Sequence, residues 1–239
     1  MPKYRMADLI VEYAPVYSRL AAQSEKYRLP EAEAEGISPD IHIALTEEFL
    51  DRQTRNYPDN TRNDLEYFFV GQRFYLDLLR FGGCMVHASA VEMDGYAYLF
   101  TAPSGTGKST HTSQWRKFFG DRAVILNDDK PAVRKKNGVW QAFGTPFSGS
   151  TALNENRAAP VGGLCLLERG EENRIHPIDP KEAVVFFLSQ SQRSTRREEM
   201  EALLQVMNAF LTAVPVYRMQ CTISTEAAQV AFDGMRPDK

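Results

Sequence analysis

Residues 85–130 read MVHASAVEMDGYAYLFTAPSGTGKSTHTSQWRKFFGDRAVILNDDK. At their centre, Ala102-Pro103-Ser104-Gly105-Thr106-Gly107-Lys108-Ser109 fits a phosphate-binding spacing: a small residue, four of any kind, then Gly-Lys-Ser. The chemistry calls for each part. Successive backbone N–H groups must turn inward toward phosphate oxygens, and Gly105 and Gly107 permit that path. Lys108 supplies a point charge for the β and γ phosphates. The Ser109 hydroxyl suits a Mg²⁺ ligand, Ser104, Thr106 and Thr110 complete the cradle, and the helix that starts here turns its positive end to the anion. An apolar run, YAYLFTA, precedes the loop, and STHTSQWRKFF follows it with a helix-compatible pattern. Strand, loop and helix are therefore all in place.

About twenty residues beyond Lys108, the apolar run Ala123-Val124-Ile125-Leu126 ends in Asn127-Asp128-Asp129. A strand in that position delivers a carboxylate to the metal of a bound nucleotide. Two adjacent carboxylates allow two roles, one holding metal and one accepting a proton from an attacking hydroxyl, and the sequence does not say which residue takes which. Upstream, MVHASAVEM and YAYLFTA flank Asp94-Gly95, a pair suited to a type I′ hairpin. His87, read as lying on the first of these strands, could then come within reach of the γ phosphate or its metal. Asn137-Gly138 marks a second hairpin, so antiparallel pairs are expected in the middle of the chain. His111 opens the helix after the loop and reads as a helix-surface residue, with a place beside the nucleotide as the alternative.

Outward from this centre, Tyr4–Tyr27 reads as a strand and a helix, 29–40 as a loop, and Ile41–Leu45 as a short strand. Thr46 and Thr61 read as N-caps of two helices. The second helix, Thr61–Phe81, carries a stripe at Leu65, Phe68, Phe69, Phe74, Leu76, Leu78 and Leu79 that should be buried on one face. Gly82-Gly83 ends it. Later segments read as a buried strand after Pro160, helices over Pro180–Gln190 and Arg197–Ala213, a last strand VPVYRMQC, and a closing helix from Thr225. Asn173 and His176 read as part of a polar hairpin tip.

The chain has 239 residues, 43% hydrophobic and 25% charged, which is ordinary globular composition. Its 28 basic residues stand against 31 acidic ones, giving net charge −3. That balance gives no reason to expect nucleic acid or an anionic membrane as partner. Cys84, Cys165 and Cys221 are odd in number and form no CxxC pair, which argues against a disulfide framework or a zinc ribbon. No apolar run approaches a membrane span, so a soluble, cytoplasmic protein is the expectation.

The string HASAVEMDGYAYLFTAPSGTGKST, followed by NDDK, resembles the HPr kinase/phosphorylase and phosphoenolpyruvate carboxykinase superfamily. There, a hairpin leads into the phosphate loop and paired aspartates follow it. FGTPFSGS, LNENRAAPVGGLCLLERGEEN and VPVYRMQC extend the resemblance to small HPr-kinase-like proteins over residues 82–232. The resemblance implies an α/β fold with a mixed β-sheet P-loop kinase core at 82–239, preceded by an N-terminal α+β segment at 1–81 that carries no assignable motif. It places Lys108 and Ser109 on nucleotide and metal, Asp128 and Asp129 as metal ligand and base, and His87 beside metal or phosphate. It also sets Arg157 near the transferred phosphate and Gly144-Thr145-Pro146-Phe147 in a loop over the site.

The chain is too short for a carboxykinase, and GKST stands where HPr kinases have GKSE. The resulting expectation is a kinase using ATP with Mg²⁺, or Mn²⁺ in its place, to phosphorylate a hydroxyl. The acceptor would be serine, free or within a peptide or protein. The alternative is a nucleotide-binding accessory protein with little turnover. HPr kinases form hexamers, so the resemblance leaves homo-oligomerisation open.

Overall fold

The computed structural model describes residues 1–237. A small sheet opens the chain. Its strands β1 (Lys3–Met6) and β2 (Leu9–Glu12) form a hairpin, followed by α1 (Ser18–Ser24), a single turn α2 (Glu31–Ala34), and β3 (Ile41–His42), which lies parallel to β2. The sequence pointed to one strand before α1, not two. The connecting turn is made by Ala7 and Asp8, both at positive φ (50° and 59°), with no glycine to announce it.

Helices α3 (Glu47–Asn56) and α4 (Arg62–Leu78) begin where their caps predict. The Thr46 and Thr61 hydroxyls accept from the Phe49 and Asp64 N–H groups at 3.1 and 3.2 Å. On α4, Leu65, Phe69, Phe74 and Leu78 are buried, whereas Phe68 is 50% exposed. Phe68 falls off the stripe because it directly precedes Phe69, about 100° round the helix, and it packs edge-on against that ring instead.

The rest of the chain builds one mixed sheet. Its elements are β4 (Gly83–Met85), β5 (Ala88–Met93), β6 (Tyr96–Thr101), α5 (Lys108–Phe119), β7 (Val124–Asn127), β8 (Ala132–Lys136), β9 (Val139–Phe143), β10 (Ala158–Arg169), β11 (Arg174–Pro177), α6 (Pro180–Ser189), α7 (Arg197–Ala213), β12 (Val216–Cys221) and α8 (Thr225–Met235). The strand order is β4-β8-β9-β10-β6-β5-β7, with β12 on the other edge of β10 and β11 beyond β12. Strand β10 bridges two halves: Ala158–Pro160 pair antiparallel with β9, and from Val161 onward it runs parallel to β6 and β12. The fold is therefore mixed α/β. Both expected hairpins are present, with Asp94-Gly95 and Asn137-Gly138 at positive φ as type I′ turns require. Residues 174–177 form edge strand β11, not a hairpin tip.

Strands β6 and β10 are buried on both faces. Ala97, Leu99, Leu164 and Leu166 point into a core under α6 and α7, while Tyr98, Phe100, Cys165 and Leu167 point into one under α5 and α8. A third core joins Tyr4, Met6, Val11 and Tyr27 to Phe74, Met85, Ala132, Phe143 and Phe147, so the first 81 residues share an interior with β4, β8 and β9. Cys84 and Cys165 are buried as free thiols and Cys221 is partly buried. Among the described residues no helix is long and apolar enough to cross a membrane.

Candidate active site

The candidate phosphate loop connects β6 to α5. Gly105 and Gly107 sit at φ 76° and 120°, a backbone that L side chains rarely adopt. Lys108 begins α5 and is only 8% exposed, with Nζ donating to the Ala102 carbonyl at 3.0 Å. Burial lowers its pKa, and the charges of Asp129 and Asp128 oppose that shift. Ser104, Gly105, Ser109 and Thr110 are exposed, Thr106 and Gly107 half-buried, so the cradle is open to a ligand.

Strand pairing brings the carboxylates to this loop. Strand β5 lies between β6 and β7, with Ala88 opposite Thr101 and Ala90 opposite Asn127. Asp128 is 4% exposed and accepts from Ser89 Oγ at 2.6 Å. Ser89 Oγ also lies 2.8 Å from Thr112 Oγ1, so Asp128 is tied to the first turns of α5. Asp129 accepts from His87 Nε2 at 3.0 Å and pairs with the Lys130 ammonium. Burial alone would raise the Asp129 pKa, but the His87 hydrogen bond and the Lys130 charge outweigh it and hold the carboxyl at about 2.

His87 was expected on a continuous strand. The structure puts it in the two-residue break between β4 and β5, because β4 leaves to pair with β8. The break turns the ring toward Asp129. It is fixed there by Gln190, whose carbonyl accepts the His87 N–H at 3.0 Å and whose Oε1 lies 2.8 Å from Nδ1. Thr101 Oγ1, at the start of the phosphate loop, donates to the His87 carbonyl at 2.9 Å.

Asn127, fully buried, is a positioning residue that the sequence showed only as a turn former. Its Oδ1 accepts from the Asp129 and Lys130 N–H groups at 2.9 and 2.7 Å, and its Nδ2 donates to Thr145. Thr145 and Phe147, expected over the site, lie buried beneath it. The Phe147 ring packs among Tyr67, Phe74 and Tyr75, where apolar burial holds it. The segment that reaches Asp129 is the next one: a Cβ at Gly149 would stand 3.0 Å from Asp129 Oδ2. Residues 148–155 are held from the N-terminal part of the chain. Arg19 donates to the Gly149 carbonyl at 2.9 Å, Tyr67 OH accepts the Gly149 N–H at 3.1 Å, and Tyr27 OH donates to Asn154 at 2.9 Å.

Arg157 does not join this group. Its guanidinium pairs with Glu92 at 3.4 Å, near the hairpin end of β5 and away from Ala88. His111, read as a surface residue, is 4% exposed, because α5 turns that face onto Phe100 and Trp115.

Among the described residues no cluster of three His, Cys, Asp or Glu side chains could cage a metal. The Ser109 hydroxyl and the Asp128 and Asp129 carboxylates are hard oxygens, the class of donor that suits Mg²⁺.

The model of the family described as "SynChlorMet cassette protein ScmC" matches residues 59–228. A solved structure of the Hpr(Ser) kinase/phosphatase from Coxiella burnetii is 10% identical and covers 62% of this chain and 91% of its own, with a TM-score of 0.37. No curated protein matches the chain.

Proposed function

The chain belongs to the ScmC family, and from that premise we propose that it is an ATP- and Mg²⁺-dependent kinase that transfers the γ-phosphoryl group to a hydroxyl, that of serine, free or within a peptide or protein. The observation that carries this reading is the strand order β6-β5-β7, which sets Asp128 and Asp129 at the end of β7 beside the loop that leads from β6 to Lys108, with His87 fixed on Asp129.

In this reading the loop N–H groups and Lys108 hold the β and γ phosphates. Ser109 and Asp128 would hold Mg²⁺, which when bound neutralises charge on the phosphates. Asp128 suits that side because Ser89 links it to α5. Asp129, ionised and aligned by His87, accepts the proton of the acceptor hydroxyl as its oxygen attacks phosphorus and ADP leaves with the electron pair of the broken P–O bond. Such transfer depends on positioning and electrostatics more than on covalent chemistry.

Two variants test the division of labour. Lys108→Ala should lose ATP affinity. Asp129→Asn should bind ATP normally and lose about 10²–10⁴-fold in turnover, the range of a general base. Asp129→Asn turning over at the wild-type rate would remove it from the mechanism.

A further inference from the structure

Both oxygens of the Asp129 carboxylate are engaged. Oδ1 accepts from His87 Nε2 at 3.0 Å, and Oδ2 takes the Lys130 ammonium. The two donors are held very differently. The His87 ring is fixed from behind, with Nδ1 2.8 Å from Gln190 Oε1 and the His87 main-chain N–H donating to the Gln190 carbonyl at 3.0 Å. Lys130 is fixed only in its main chain. Its N–H donates to Asn127 Oδ1 at 2.7 Å, and its carbonyl accepts from Thr145 Oγ1 at 3.0 Å and from Tyr75 OH. Its ammonium has no partner besides Asp129 among the described residues, and it stands at the end of a flexible four-carbon stem that is partly exposed.

Charge makes that pairing temporary. When Asp129 takes up the acceptor proton, its carboxyl turns neutral and ceases to be a counter-ion. A half-buried ammonium left without an anion is costly. The end of β7 lies beside the loop that leads from β6, so the anion that arrives there is the terminal phosphate of the nucleotide.

We propose that Lys130 is a catalytic residue that holds the γ phosphate: when the nucleotide binds, its ammonium leaves Asp129 Oδ2 for that phosphate and frees the oxygen for the acceptor hydroxyl. The inference rests on the kinase reading above and deepens it. His87 keeps Oδ1 and so keeps the carboxylate oriented, while Oδ2 receives the proton. The acceptor oxygen bonds to phosphorus, the P–O bond to ADP breaks with its electron pair left on ADP, and the hydroxyl proton passes to Oδ2. Lys130 stays an ammonium throughout and stabilises charge on the phosphoryl oxygens from the side opposite the loop. An order of events follows. The base stays covered until a nucleotide carrying a γ phosphate is in place, so nucleotide binding precedes productive acceptor binding.

Mg²⁺-ATP and Mg²⁺-ADP differ by the γ phosphate alone, so calorimetric titration of the full chain with each reads this contact. In the wild-type background, removing Lys130 also bares the Asp129 charge. The test is therefore made on Asp129→Asn, where no counter-ion role remains and slow turnover leaves the ATP intact. Adding Lys130→Met to that variant should weaken ATP binding about tenfold or more, the worth of one charge-assisted hydrogen bond. ADP affinity should not change, which also shows that the double variant is folded. Lys130→Arg in the same background should keep most of the ATP affinity. Equal ATP affinity with and without Lys130 makes it only the counter-ion of Asp129 and overturns the inference. Loss of ATP and ADP affinity alike overturns it too, since nothing then singles out the γ phosphate. Both of those results leave the loop reading standing, and transfer to an acceptor is measured separately. Binding of neither nucleotide by Asp129→Asn overturns the loop reading and this inference with it.

Discussion

Asp129 is held ionised by its neighbours, whereas His111 is held neutral by its surroundings. Burial lowers the His111 pKa from 6.5 to about 4. Between those values the unfolded chain takes up a proton that the folded chain refuses, so stability must rise with pH across that window. The contribution is present in full above pH 6.5 and is lost as pH falls toward 4, about 3 kcal/mol at most. Thermal unfolding from pH 4 to 7 should show this slope, and His111→Phe should flatten it. Asn127 makes a different claim. Asn127→Ala orphans the N–H groups of Asp129 and Lys130, and should cost about 2–4 kcal/mol in denaturant unfolding. The placement of Lys108 at the start of α5 and of Asp128 and Asp129 at the end of β7 was legible in the sequence because each follows from a local strand, loop and helix pattern. The anchoring of His87 was not, since its partner Gln190 lies 103 residues away. Nor was the isolation of Arg157, whose partner is set by strand register.

At the scale of elements, α5 is the piece on which the site stands. Its inner face is Trp115, fully buried and ringed by Tyr98, Phe100, Phe119 and Phe232. Trp115→Ala should cost about 3–5 kcal/mol, read by denaturant midpoint at unchanged slope. The two glycine-marked hairpins, the threonine caps and the long helices could be read from the chain because each rests on a local preference. The Ala7-Asp8 turn, the break before β5 and edge strand β11 escaped that reading. The first two lack a glycine signal, and β11 (Arg174-Ile175-His176-Pro177) is a short, largely exposed edge that only its pairing with β12 reveals.

At the scale of the molecule, the first 81 residues reach the site through residues 148–155. Arg19 is the clearest link: it meets Asp64, the Tyr67 ring and the Gly149 carbonyl at once. Arg19→Ala should leave the fold and ATP affinity in place and lower turnover about tenfold, because the segment over Asp129 loosens and positioning suffers. A steady-state comparison of kcat with ATP affinity checks this. The shared interior with β4, β8 and β9 could not be read from sequence, since no local pattern states which distant strands a helix will cover. The central claim is phosphoryl transfer. It is tested most directly by incubating the protein with Mg²⁺-ATP beside free L-serine, a serine-containing peptide and HPr, and weighing each by mass spectrometry. The account predicts a gain of one phosphoryl group on one of these hydroxyl acceptors, absent with Lys108→Ala. ATP bound but transferred to none of them, and not hydrolysed, would contradict it and point instead to a nucleotide-binding accessory protein.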